Sequence, residues 1–301
     1  TWSRYLFRFV PMLIIVGVAT ARPLAGQAVG AQARVVRQLA FVGDHAFGDE
    51  ELAAVIATTK SAWFATSPLV RWMGLGEKRY FDETEFRRDV LRLIVFYREG
   101  GFLDVQVDTT VRREAQSVYI TFKITEGPPT VVDSFQVTGL DGVSKRADVV
   151  RDLPLEVAHP FDRRLMLASA DTIVARLLDR GYPSAQVFRN FNVDQAARRA
   201  EVTFDVAPGP HAVFGEVRVR GAEEVDTALI RKLLAARPGR EFRQQDLYES
   251  QSTLYRTEMF RFAAAGIDTT RFAPGDTVVP VAVKVNEGNF RRVLAGMCYR
   301  T

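Results

Sequence analysis

At 301 residues, with 47% hydrophobic and 25% charged residues, the chain is too long for one small core and too apolar for wholesale disorder, so two or three modest domains are expected. Forty basic against thirty-six acidic residues leave a net charge of +4 with no block of like charge, which argues against a nucleic-acid surface. The single cysteine, Cys298, excludes an intrachain disulfide framework and any multi-cysteine metal site.

The chain opens with a basic start (Arg4, Arg8), an apolar run from Phe9 to Ala21 and small residues ending in Ala31-Gln32-Ala33. That layout predicts a secretory signal peptide over 1–33 with cleavage near Ala33; the run is too short for a comfortable membrane span, and a retained anchor is the alternative.

From there the same string of elements occurs three times. Leu39 to Gly43, Phe135 to Gly139 and Val217 to Gly221 alternate apolar residues and close on glycine, as a half-buried strand ending in a tight turn does. A short helical stretch follows each: DEELAAVIA, SKRADVVRDL and DTALIRKLLAA. A second helix opens after Phe81-Asp82, Phe161-Asp162 and Phe242-Arg243, where both aspartates are good N-caps. Its apolar stripe is Phe86, Val90, Leu93, Ile94 and Tyr97 in the first copy and Met166, Ala170, Ile173, Val174 and Leu177 in the second, 80 residues on. Gly101 and Gly181 are placed to end this helix in the left-handed conformation. In the third copy YRTEMF at 255–260 stands in place of YREGGF, so the terminating glycine is replaced and the register slips. Alternating strands then close each copy at Glu126-Gly127, Pro208-Gly209 and Glu287-Gly288.

This order predicts an α+β module, β-α-α-β-β, with a three-stranded mixed sheet carrying two helices on one face and leaving two free sheet edges. The predicted modules are 34–128, 129–210 and 211–288. The first has an insertion at about 60–79, since Gly43 and Phe81 are 38 residues apart against 22 from Gly139 to Phe161. Trp63, Phe64, Trp72 and Met73 there form a packed satellite cluster or an exposed contact surface.

The glycine closing strand one, the aromatic-Asp opening helix two, Tyr97-x-x-x-Gly101-Phe102 and Ile120-x-Phe122-x-Ile124-x-Glu126-Gly127-Pro128 together resemble polypeptide-transport-associated (POTRA) domains. These form the periplasmic part of outer-membrane assembly factors of the BamA and TamA kind. The resemblance covers 35–288, with Pro208 replacing the glutamate in copy two and the glycine-aromatic step missing from copy three. It implies that 289–301, which alternate again, are the first strand of a membrane β-barrel continuing in a longer protein.

The resemblance further implies an outer-membrane protein with this region in the periplasm, assembling and inserting β-barrel proteins. Its partners would be unfolded outer-membrane clients, with an accessory periplasmic or inner-membrane protein, and the membrane through the barrel. The strand after helix two would be the exposed edge, placing client binding by strand addition at Val105, Gln106, Val107, Asp108 and Thr109 and at Ala185, Gln186, Val187, Phe188 and Arg189. The other readings are a pore translocating one secreted partner, and a barrel-less periplasmic scaffold. No enzyme is expected, and no cofactor. His45, His159 and His211 sit at unmatched positions, without HExxH, GxSxG or a phosphate loop. GDHAFGDEE at 43–51 suits a turn and the acidic start of a helix better than a metal site.

Overall fold

A computed structural model describes residues 34–59 and 80–288. The expected signal peptide, the insertion at 60–79 and the expected barrel strand at 289–301 lie outside the described residues. The first module runs β1 (Val35–Val42), α1 (Asp49–Val55), α2 (Glu83–Glu99), β2 (Gln106–Arg113) and β3 (Ser117–Thr125). The second runs β4 (Val131–Thr138), α3 (Arg146–Val150), α4 (Arg163–Leu178), β5 (Gln186–Asp194) and β6 (Arg199–Ala207). The third runs β7 (Val213–Arg220), α5 (Thr227–Leu233), α6 (Gln244–Arg256), β8 (Phe260–Ile267) and β9 (Val278–Glu287). This is the α+β order expected.

Each sheet places its last strand in the middle, in the orders β1-β3-β2, β4-β6-β5 and β7-β9-β8. The first strand pairs parallel to the last and the two final strands form an antiparallel hairpin, so the sheets are mixed. Period-two alternation decides which face is dry. Val118, Ile120, Phe122 and Ile124 of β3 are buried beneath Phe86, Leu93 and Tyr97 of α2, while the other face of β3 carries Tyr119, Thr121 and Lys123. The same arrangement builds two further cores on Val202, Phe204 and Val206 and on Val281, Val283 and Val285.

The second helices are anchored in ways only partly visible as apolar periodicity. Asp82 accepts the N–H groups of Thr84 and Glu85 at 2.7 and 3.1 Å, and Asp162 that of Arg164 at 2.7 Å, satisfying donors that open a helix. One polar residue at the same position of each second helix lies inside the apolar face: Asp89, Ser169 and Ser250, all fully buried. Each latches the segment that follows the first helix. Asp89 accepts the N–H of Ala57 at 2.8 Å and of Thr58 at 2.9 Å; Ser169 accepts that of Leu155 at 2.8 Å; Ser250 accepts those of Ala235 and Ala236 at 3.0 and 3.2 Å.

Gly101 and Gly181 take φ of 92° and 87° as the helix ends. In the third module the left-handed position survives at Glu258, φ 56°, four residues after buried Leu254, as Gly101 and Gly181 stand four after buried Tyr97 and Leu177. The helix is 13 residues long against 17 in the first module, so the exit comes one helical turn earlier, and its left-handed form is preserved. The Glu-Gly close of the last strand is structural. Glu126 Oε1 accepts the N–H groups of His45 and Ala46 at 2.7 and 2.9 Å, and Glu287 those of Glu223, Glu224 and Val225 at 2.9 to 3.2 Å. The 43–51 segment is the expected turn, with Asp49, Glu50 and Glu51 in the first turn of α1.

Candidate functional site

The two borders of the first two sheets differ. On the first-strand border, the segment entering helix two bridges back onto the strand, at Val35–Tyr80, Val131–Pro160 and Val213–Glu241. The register there also slips, between Val36 and Gln38, Val132 and Ser134, and Phe214 and Val217. Bulging and bridging spoil a strand as a template for further pairing. On the opposite border, β2 and β5 pair with β3 and β6 in unbroken register over their whole length. Among the described residues, no other backbone pairs with them. Every second N–H and C=O of an edge strand points away from its sheet, so these strands offer a row of free backbone groups.

The predicted edge residues fall mostly on these strands. Gln106, Val107, Asp108 and Thr109 lie on β2, and Gln186, Val187, Phe188 and Arg189 on β5. Val105 and Ala185 do not: both are buried, and their N–H groups close turns on the carbonyls of Phe102 and Tyr182 at 3.4 and 3.2 Å. The outer strands therefore begin one residue later, and they continue to Arg113 and Asp194. Val107 and Val187 pack against their cores, while Phe188 is 55% exposed on the outer face.

The β5 edge has a feature that β2 lacks. Phe191 lies 5.2 Å from the Phe161 ring and 5.0 Å from the Arg163 guanidinium. These groups, with Val193 and with Val95 and Leu103 of the first module, line an apolar groove of about 270 Å³ rimmed by Arg98, Glu99 and Arg163. Phe191 escaped the sequence reading, although an aromatic residue amid the polar run Arg-Asn-Phe-Asn is itself a signal on an edge strand.

The groove exists because the first two modules are docked. The Thr130 N–H donates to the Gly101 carbonyl at 2.8 Å, and a Cβ on Gly101 would lie 3.0 to 3.2 Å from backbone atoms of Phe161 and Thr130. The glycine that ends the helix is therefore also the floor of the junction. Arg164 reaches back across it. Its guanidinium lies 4.1 Å from the Phe96 ring centre and 5.2 Å from that of Phe47, and it pairs with Glu51 at 3.0 Å and with its own module's Asp162 at 2.6 Å. Burial works against this charge, but the two carboxylates outweigh it and raise the guanidinium's pKa further. Arg198, in the β5–β6 turn, adds a 3.0 Å pair with Asp104. Burial and the nearby Glu126 carboxylate raise the Tyr97 hydroxyl's pKa well above the usual phenol range, so it stays a neutral donor, 3.3 Å from Glu126.

Among the described residues, no helix is long and apolar enough to cross a membrane. Residues 35–127 match the POTRA family, described as a surface antigen variable number repeat. The outer membrane protein assembly factor BamA of Neisseria meningitidis serogroup B is 19% identical over 202 residues, which are 66% of this chain and 24% of that protein. The chain therefore matches about a quarter of that relative's length. The crystal structure of POTRA domains 3–5 of Haemophilus influenzae BamA superposes with a TM-score of 0.52 at 20% identity, covering 86% of this chain and 98% of that one. Residues 35–127 thus match a POTRA domain by sequence, and all three modules share the fold of the BamA POTRA domains.

Proposed function

We propose that the chain serves outer-membrane protein assembly from the periplasm, and that β5 receives an extended segment of an unfolded β-barrel client by strand addition. The observation that carries this reading is the open β5 border flanked on its helix side by an apolar groove. Main-chain bonds to the edge supply affinity without a side-chain code, so many clients can pair. Alternate side chains of the added strand point to one face of the sheet. Those on the helix side meet Phe191, Phe161 and Val95, and those on the outer side meet Phe188 at one end and Asn190, Asn192 and solvent beyond it. The favoured client is thus a strand alternating apolar and polar residues, the pattern of a membrane β-barrel strand.

A proline scan from Val187 to Asn190 tests this. Successive residues of β5 turn their N–H alternately toward β6 and outward. Proline at an outward position removes a client bond and leaves the ladder intact. Photo-crosslinking of a β-barrel-derived peptide should fall about tenfold at alternate positions in variants that keep their native fold by circular dichroism. Crosslinking that is unchanged at every folded position would refute the edge reading.

A further inference from the structure

The second helix of the third module opens without a cap of its own. Arg243 stands where Asp82 and Asp162 cap α2 and α4, and it makes no side-chain bond to the helix. The first-turn donor is nonetheless satisfied, because the Gln245 N–H donates to Oδ1 of Asp179 at 2.9 Å. Asp179 belongs to the second module: it is the C-cap residue of α4, and its own N–H donates to the Ala175 carbonyl at 3.1 Å. We infer that Asp179 is the N-cap of α6 supplied from the neighbouring module, so that the start of this helix is stabilised only when modules two and three are docked.

Three observations on the same junction hold the donor and acceptor together. Leu178, the residue before Asp179, packs against the core of the third module. The Ala212 N–H donates to the Gly181 carbonyl at 2.8 Å, and the Phe242 N–H to the Ala212 carbonyl at 3.0 Å, which ties the entry of α6 to the exit of α4. The His211 imidazole stands edge-on to the Tyr182 ring at 5.4 Å and against Gly181, and pairs with Glu241 at 3.0 Å. At the other junction the corresponding residue is Glu99, and α4 there is already capped by Asp162. The exported cap and the missing local cap occur at the same place, so each accounts for the other.

Hydrogen exchange on the full chain tests the assignment. Asp179→Ala should speed exchange of the Gln245 amide about five- to tenfold, the effect of losing one N-cap, while amides in the core of β6 keep their protection. Asp179→Asn should keep the slow exchange, since asparagine caps as well as aspartate. Arg243→Asp, which recreates the Phe-Asp pair of the other modules, should restore protection in the Asp179→Ala background. Unchanged exchange in Asp179→Ala would overturn the inference. So would failure of Arg243→Asp to rescue it, because the loss would then come from the junction as a whole.

Discussion

Modules one and three have the same fold and hold it with different chemistry. In the first, α2 carries its own cap, Asp82, its latch is a buried carboxylate, Asp89, and its exit is a glycine, Gly101. In the third, α6 has no cap of its own, its latch is the Ser250 hydroxyl, and its exit is Glu258. The glutamate that closes the last strand is shared, as Glu126 and Glu287. What the fold requires is that particular N–H groups find an acceptor; which atom accepts, and which module supplies it, is free to vary. The first module draws its helix cap from within, and the third borrows its cap.

The widest predicted gap between them is at the latch. Asp89→Ala leaves the N–H groups of Ala57 and Thr58 without their acceptor and the Arg92 guanidinium with Glu85 alone. Removing the carboxylate from two backbone donors and from one side of the guanidinium costs about 3 kcal/mol, since hydrogen bonds to a charged group are the stronger ones. Ser250→Ala orphans two N–H groups but no charge, and about 1.5 kcal/mol is expected. Urea unfolding followed by module-resolved hydrogen exchange would measure both. Equal losses would mean that the carboxylate contributes no more than a hydroxyl, and that the chemical difference between the modules has no energetic weight.

Acid separates the two latches by charge. Burial works against an ionised Asp89, but the Thr58 hydroxyl, the Ala57 and Thr58 N–H groups and Arg92 outweigh it and hold the carboxyl below the usual aspartate range. A depressed folded value means that the contribution is complete above the unfolded value of about 3.9 and is lost as pH falls through the folded value. Below pH 4 the Ala57 and Thr58 amides should therefore lose protection, while the Ala235 and Ala236 amides, held by a hydroxyl, keep theirs against this titration. Asp89→Asn should abolish the difference. Amide exchange by NMR across this range decides it, and parallel loss at both latches would contradict the assignment.

Much of this was legible in advance because it is local and periodic. The 80-residue repeat, the alternation that buries Phe122 and Phe204, the aspartate caps and the helix-ending glycines all follow from residue type and spacing. The latches were not, because a search for apolar stripes skips a polar residue within the stripe; Asp89, Ser169 and Ser250 are recognisable only when the three helices are aligned. The junctions were less legible still. Arg164 meets Glu51 across 113 residues, and Asp179 meets Gln245 across 66, and no periodicity links such pairs. Most of the candidate edge residues fall on the outer strands because strands follow the glycine step, and Val105 and Ala185 fall in the turns before them because alternation alone does not tell a strand's first residue from the turn feeding it.

The smallest expected difference lies at the helix exit. Glu258 holds φ at 56° with its side chain exposed, a conformation in which an L-residue's Cβ crowds the following carbonyl. Glu258→Gly removes that strain but gives the unfolded chain more freedom, and the two effects oppose each other. A net gain of about 0.5 kcal/mol is expected, visible as a rise in the melting temperature of the third module. Leu254 would stay buried, so the position of the turn is not at stake. The same exchange run backwards at Gly101 has no such tolerance, because the backbone of Phe161 and Thr130 already occupies the space a Cβ would need. A loss of stability in Glu258→Gly would show that the left-handed turn of the third module is imposed by the packing of Leu254 and Phe260 at little conformational cost, and that glycine at this step in the other two modules answers to the docked neighbour alone.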